Sequence, residues 1–256
     1  MNNTGPKTQW GPLLFALMCL SGVTKAYEQT NWDFSGSANG GTGSAEMTIT
    51  IDGNSLELKL DNTSPITLDG GTGDNAPGIV GFGFNVADNP SLTLASWELV
   101  ALDGNGGSPV IIGGSITGNG DWTLTTGANF NGVSMDYLPA TDTTSGGVGD
   151  IKGALYNPLA DGSTALAALP NYFTQATLTM EFNTTPVLAS KDCGGGVGPC
   201  TTFVRMKNVG DGGSLKLPGT PGEPNPPASV PEPSALLLSG LGLLGIGFAR
   251  RRRLVH

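Results

Sequence analysis

Apolar residues alternate with polar ones at several places in the middle of the chain, as in β-strands that bury one face. In the clearest case, apolar residues of 47–51 alternate with threonines, and the leucines of 56–60 alternate with charged residues. Joining these segments through 52–55 as a four-residue hairpin loop pairs Met47 with Leu60 and puts all six apolar side chains on one face. We therefore predict a hairpin with one core face and one wet face.

Further segments with this signature are separated by glycine-rich turns. They are Val80–Val86, Leu92–Val100, Val110–Ile116, Asp121–Thr125, Val133–Leu138, Ala176–Phe182, Thr202–Val209 and Ser214–Leu217. In 80–86 we expect Val80, Phe82, Phe84 and Val86 to point inward and the two glycines outward. Only Thr164–Leu169 suggests a helical turn. Nine or ten short strands predict an all-β fold, an antiparallel β-sandwich of which the jelly roll is one form.

Glycine content and charge support a turn-rich exported body. Glycine makes up 41 of the 256 residues, about 16% against a usual ~7%. Between Tyr27 and Ser229 there are 20 acidic and 6 basic residues, which gives a net charge of −14. Such a surface repels phosphate backbones, so we expect no nucleic-acid partner.

The first 26 residues have the parts of an export signal. Lys7 supplies a positive charge, 10–23 is an apolar segment too short to span a bilayer comfortably, and small residues precede the end of the segment. We predict a signal peptide over 1–26 with cleavage between Ala26 and Tyr27. A buried N-terminal helix is the alternative.

The C-terminal end changes character at Pro218. Seven prolines fall in residues 218–233, and such a segment is expected to be an extended spacer that does not pair in a sheet. The uncharged stretch 234–249 follows, and an arginine cluster comes directly after it. The pattern predicts a single transmembrane helix with its basic end in the cytoplasm and the body outside.

This tail resembles the PEP-CTERM sorting signal in its three parts and their order. The residues that carry the resemblance are Val230, Pro231, Glu232 and Pro233, then the Leu/Gly-rich span, then Arg250, Arg251, Arg252 and Arg253. The chain then divides into a signal peptide (1–26), a β-sandwich body (27–217), a Pro-rich linker (218–229) and a sorting tail (230–253).

The resemblance implies a partner and a location. In that family, an exosortase-type membrane protease cuts near the Pro-Glu-Pro motif and releases the protein to the cell surface or exterior. Hosts are typically Gram-negative bacteria that make exopolysaccharide, and members are associated with biofilm or floc matrix. A plain C-terminal anchor that stays in the membrane is the alternative.

Two cysteines remain once Cys19 leaves with the signal. Cys193 and Cys200 enclose six residues, and an even pair in an exported protein predicts a disulfide that closes a small loop. A metal site is the alternative, but the spacing is not CxxC and no histidine is near. No metal site and no cofactor are predicted.

The residue types for catalysis are few. The only histidine is His256, in the tail that sorting would remove, so the mature body lacks histidine-dependent triads and histidine-ligated zinc. A carboxylate pair could still hydrolyse glycosides; the strand carboxylates are Glu46, Glu57, Glu98 and Glu181. Of these, Glu57 and Glu181 are predicted on polar faces, where a solvated acid is ordinary.

Two binding hypotheses remain open. Aromatic residues could stack on sugars, although most of them should belong to the core; they are Trp32, Trp97, Trp122, Tyr137, Tyr156 and Tyr172. Loops 69–74 and 103–105 are rich in Asp, Asn and Gly, but neither follows an ordered calcium motif. Turn formation explains them better than calcium binding.

The leading hypothesis from sequence is a non-enzymatic surface or matrix protein that sits in or binds extracellular polysaccharide. A carbohydrate-binding module, with or without help from calcium, and a carboxylate-dependent secreted glycosidase or lyase are the alternatives.

Overall fold

The computed structural model describes residues 27–67, 75–101, 110–115, 122–130, 132–141, 153–158 and 173–222. The signal peptide, the sorting tail from 230 onward, and Thr164–Leu169 lie outside the described residues. Within those ranges the chain forms fourteen β-strands and no α-helix.

The strands follow one another along the chain with only turns and loops between them. In order, they are β1 (Glu28–Ala38), β2 (Gly41–Asp52), β3 (Ser55–Asn62), β4 (Gly78–Phe84), β5 (Leu92–Ala101), β6 (Val110–Ser115), β7 (Trp122–Phe130), β8 (Val133–Thr141), β9 (Phe173–Phe182), β10 (Lys191–Asp192), β11 (Pro199–Cys200), β12 (Thr202–Val209), β13 (Gly213–Pro218) and β14 (Thr220–Pro221) in the part of the chain that the structure describes.

Two main sheets and one small ribbon contain all of these strands. The larger sheet has the order β14-β1-β2-β3-β9-β5-β6, the smaller has the order β13-β12-β4-β8-β7, and β10 pairs with β11. Every pairing between these named strands is antiparallel. The prediction of an all-β antiparallel fold is therefore confirmed, while its jelly-roll form stays a prediction.

Both sheets contribute to one hydrophobic cluster, which we call the central core. Trp32, Phe34, Ile49 and Leu58 come from the larger sheet, and Phe82, Phe84, Val204 and Met206 come from the smaller one. All of these side chains are at most 9% exposed. The shared core fixes how the two sheets face each other, because each sheet has one apolar side to bury.

The β2–β3 hairpin has the register that the sequence predicts. Met47 lies opposite Leu60, and Ile51 lies opposite Leu56. The ladder continues to Asp52 and Ser55, so the loop has two residues rather than four. Gly53 accommodates this tight turn with a φ of 61°, a conformation that glycine adopts at little cost.

The expected orientation of β4 is wrong in two respects. Every residue from Gly78 to Phe84 is buried, because β4 lies between β12 and β8 and side chains cover both of its faces. Met206 pairs with Ile79 and Arg205 with Gly81, which leaves Val80 in a β-bulge. As a result Ile79, and not Val80, joins the central core, since a bulge reverses the side-chain alternation.

Glycine on β4 permits a close approach rather than facing water. A Cβ added to Gly83 would lie 2.7 Å from the Tyr137 carbonyl oxygen and 3.1 Å from side-chain atoms of Leu138 and Met135. The side of β4 opposite to Phe82 and Phe84 is therefore packed against β8.

The linker boundary predicted at Pro218 is also wrong. Pro218 ends β13, and the next residues form β14, which pairs with β1 through Thr220 opposite Asp33 and Pro221 opposite Trp32. The amide of Gly222 donates to the carbonyl of Asn31 at 2.8 Å. Proline is tolerated here because β14 is an edge strand, where its missing N–H costs no ladder bond. Strand pairing thus continues past Pro218, to at least Pro221.

Candidate functional site

The four strand carboxylates lie on the larger sheet and not in a cleft. Glu57 on β3 and Glu181 on β9 are half-buried diagonal neighbours on one face, with Thr179 opposite Glu57 and Ser55 opposite Glu181. Glu57 also lies 3.2 Å from the ammonium of Lys59. This is the placement of carboxylates on a solvated sheet face, where apolar side chains point to the other side.

Glu46 and Glu98 complete the polar face of the same sheet. Glu46 stands between Asp33 on β1 and Asp61 on β3 in the cross-strand register, and Glu98 stands opposite Thr177. Both glutamates are exposed. Across the described ranges, no group of three or more His, Cys, Asp or Glu residues is arranged to hold a metal ion.

The aromatic residues proposed for sugar stacking belong mostly to the core. Trp32 is 9% exposed, Trp122 is 1% exposed, and Tyr137 and Tyr156 are at most 5% exposed. The Trp122 indole N–H donates to the carbonyl of Gly153 at 2.7 Å. Rings held in this way present no open face to a sugar. Tyr172, the Trp97 side chain and the loops 69–74 and 103–105 lie outside the described residues.

Cys193 and Cys200 are joined by a disulfide, with their Cα atoms 5.8 Å apart. The bridge closes the β10–β11 ribbon and belongs to a second hydrophobic cluster. Its other members come from β8 and β12, with Val197 packed against them; they are Val133, Met135, Leu138, Ala140 and Phe203. The ribbon is therefore packed on the smaller sheet rather than projecting as a free loop.

A buried asparagine connects this ribbon to β4 and β8. Asn85 is 1% exposed. Its amide nitrogen donates to the Cys200 carbonyl at 3.1 Å, and its amide oxygen accepts from the backbone N–H of Asp136 at 2.9 Å. The Asn85 side chain thus satisfies one backbone group of β11 and one of β8. Nothing in the sequence indicates that these two strands are connected.

The Asp136 carboxylate makes a further set of contacts at the surface of this region. Its Oδ2 accepts from the backbone N–H of Val86 and from the ammonium of Lys191, both at 2.8 Å. The side chains of the pair are 20% and 35% exposed for Asp136 and Lys191. Lys191 also donates to the Asn89 amide oxygen at 2.9 Å. Asp136 therefore links β8, the β4–β5 connection and the ribbon.

An open cleft of about 600 Å³ lies beside this ion pair. It is lined by residues 89–92 together with Thr126, Gly127, Asp136 and Tyr137. Asn89, Ser91 and Thr126 are exposed, whereas Tyr137 is buried. Burial raises the pKa of the Tyr137 phenol, and the charge of Asp136 raises it further.

The backbone at the rim of the cleft has an unusual conformation. Asp88 and Asn89 have φ angles of 55° and 42°, in the left-handed region that non-glycine residues seldom occupy. The Tyr137 hydroxyl donates to the Pro90 carbonyl at 2.6 Å, and Ser91 exchanges hydrogen bonds with Asn183 on the neighbouring segment. These contacts hold the left-handed pair in place.

Sequence reasoning missed the cleft. Asp136 and Lys191 are 55 residues apart, and neither belongs to a recognisable motif. The Asp88–Asn89–Pro90 segment carried the one signal, since Asp and Asn are the residues that most readily adopt positive φ before a turn.

The residues predicted for sorting lie outside the described residues, but they fall within a family match. Residues 229–253 match the model of the PEP-CTERM protein-sorting motif. The chain therefore carries this motif, which implies an exosortase-processed, exported protein with transient membrane anchoring and a surface or extracellular location. No curated protein matches the chain. In the part that the structure describes, no helix is long and apolar enough to cross a membrane.

Proposed function

We propose that this protein is a non-enzymatic component of the cell surface or extracellular matrix, delivered by exosortase to a layer that contains exopolysaccharide. The sorting motif at 229–253 carries the proposal, because it begins only a few residues after Gly222, the last residue that the structure describes. The link to biofilm matrix comes from what members of that family do.

The body supports a role in binding rather than in catalysis. The acidic residues of the larger sheet, including the neighbouring Asp33, Glu46 and Asp61, lie on an open sheet face, whereas glycoside hydrolysis needs two carboxyl groups that flank one bond. The single histidine lies in the tail. Of the two alternatives, a carbohydrate-binding module is favoured over a glycosidase or lyase. The cleft beside Asp136 offers this module a binding site, whereas the buried aromatic residues do not.

Intact mass spectrometry of the protein from medium and from membranes of its native host tests the proposal. We expect a secreted species that starts at Tyr27 and ends near Pro231. Replacing Pro231, Glu232 and Pro233 with alanine should leave the chain in the membrane, still ending at His256.

A matched control distinguishes the effect of losing the Pro-Glu-Pro motif from the effect of losing prolines in general. The triple variant Pro224→Ala, Pro226→Ala and Pro227→Ala also removes three residues of the Pro-rich stretch but keeps the motif, so it should be released normally. Normal release of the motif variant, or retention of the wild-type chain in the membrane, would overturn the proposed sorting.

A further inference from the structure

We propose that the cleft beside Asp136 binds a short segment of a neutral polysaccharide. The inference rests on the proposed function and deepens it, because it names a site and a ligand class for a protein that is delivered to a polysaccharide layer. The cleft brings together the β4–β5 connection, β7 and β8, and Lys191 of the disulfide ribbon is paired with Asp136 beside it.

The polar groups of the cleft suit a ligand that is rich in hydroxyl groups. The Asn89 amide and the Ser91 and Thr126 hydroxyls can each donate and accept hydrogen bonds, as every sugar hydroxyl does. Asn89, Ser91 and Thr126 are exposed to the cleft opening. Leu92, which is half-buried, supplies apolar surface next to them, as the C–H face of a sugar requires. A mostly preformed concave site with a few convergent polar groups is the usual form of a small-ligand site.

The charges in and around the cleft favour a neutral ligand. Asp136 and Lys191 form an ion pair at 2.8 Å, so the carboxylate is already paired and offers little to a cationic polymer. An anionic polymer would meet the −14 charge of the body, which disfavours its approach. A neutral chain avoids both penalties.

The cleft is held in shape before any ligand arrives. The left-handed pair Asp88–Asn89 is fixed by the bond from Tyr137 to Pro90 and by the bonds between Ser91 and Asn183. The ribbon that carries Lys191 is closed by the disulfide. A preorganised site loses little conformational entropy on binding, which explains why strained backbone conformations are retained at this rim.

Affinity electrophoresis of the secreted full chain tests the inference. The gels contain the purified exopolysaccharide of the host or a neutral α- or β-glucan, with a carboxylated polysaccharide in parallel. We expect at least one neutral polymer to retard the wild-type protein and the carboxylated one not to do so.

The variants are chosen to leave the fold intact. Asn89→Gly removes the amide at a position where glycine accepts the positive φ, and Thr126→Ala removes an exposed hydroxyl. Together they should weaken binding at least tenfold. Thr177→Ala, on the polar face of the larger sheet, is the control and should bind as the wild type does. If the double variant has a lower melting temperature than the wild type, the single variant Thr126→Ala replaces it in the binding test. This single variant should weaken binding threefold or more.

The outcomes distinguish this inference from the proposed function. If the protein is cut and released normally but no neutral polymer retards it, the proposed polysaccharide site at the cleft is wrong and the proposed sorting still holds. Equal binding by wild type and by the cleft variants also overturns the cleft. A chain that stays in the membrane uncut refutes the proposed function first.

Discussion

Replacing Asn85 with alanine should destabilise the body more than the same substitution at an exposed, hydrogen-bonded asparagine. Asn85 directly follows β4 and is 1% exposed. The substitution removes the acceptor for the Asp136 N–H and the donor to the Cys200 carbonyl. The disulfide ribbon would then lose one of its polar connections to the sheet, while the bond from the Ser134 N–H to the Cys193 carbonyl at 2.8 Å would remain.

The size of the effect follows from these two bonds. A buried backbone group left without its partner costs roughly 1–3 kcal/mol, and two such groups lose the Asn85 side chain in this variant. Asp136 is only half-buried, so water can satisfy part of its need. We therefore expect a loss of about 2–4 kcal/mol in the free energy of unfolding, at the upper end of ordinary single substitutions.

Urea unfolding, followed by circular dichroism at neutral pH, measures the loss. The matched control is Asn183→Ala, because the Asn183 side chain also accepts a backbone N–H, that of Ser91, at 2.8 Å, but is exposed. The control should lose less than about 1 kcal/mol, since water replaces the missing acceptor. If the free energies of unfolding of the two variants differ by less than about 0.5 kcal/mol, the burial of Asn85 does not add to the cost of losing its hydrogen bonds, and the reasoning is refuted.

Three further predictions concern Tyr137, the C-terminal boundary and the disulfide. Tyr137→Phe should cost about 1–2 kcal/mol near pH 7. Because the folded pKa of Tyr137 is raised above its usual 10.0, the stability it contributes is complete below about pH 10 and falls as pH rises through the folded pKa. Urea titrations from pH 8 to 11 should therefore show the gap between wild type and variant narrowing only at the alkaline end; a constant gap would contradict the raised pKa. A chain that ends at Leu217 should unfold about 1–2 kcal/mol more easily than one that ends at Gly222, and equal midpoints would favour a body that ends at Leu217. Thiol titration of the secreted protein should find Cys193 and Cys200 unreactive until reduction, which should cost about 2–3 kcal/mol in the loop-entropy picture; two reactive thiols without reductant would contradict the bridge.

Local alternation is sufficient to place most strands. The β2–β3 register follows from six apolar residues that share one face and from the short loop that joins the two strands. The bounds of β12 agree to the residue, because Thr202 and Val209 are flanked by turn residues. These elements are governed by nearest neighbours in sequence, and a single sequence contains that information.

The features that the sequence does not predict correctly have a different cause, since they depend on contacts between segments that are distant along the chain. The sequence pattern does not predict β1, because its inward positions include Thr30 and Gly36, and its regularity is visible only once β2 pairs along its full length. The glycines of β4 are predicted to face solvent because the packing of β8 against them cannot be seen from β4 alone.

The cleft could not be predicted for the same reason. Its lining comes from the β4–β5 connection, β7 and β8, and periodicity carries no information about how these segments meet. The tail presents the opposite case, since its motif is contiguous and its meaning does not depend on the fold.

The pairing of β14 with β1 also brings the two ends of the described body close together. Gly222 lies beside Asn31, and Tyr27 precedes Asn31 by four residues at the start of β1. The first and last described residues of the body therefore lie at the same end of the larger sheet. That end also carries the β2–β3 turn and the segment 183–185, which contact each other and Ser91 at the cleft.

Residues 223–230 can span at most about 28 Å even when fully extended. In a chain that still carries its tail, Gly222 can therefore be at most about 28 Å from residue 230. We expect removal of the tail to free this end of the body, and with it to make the cleft more accessible to a polymer.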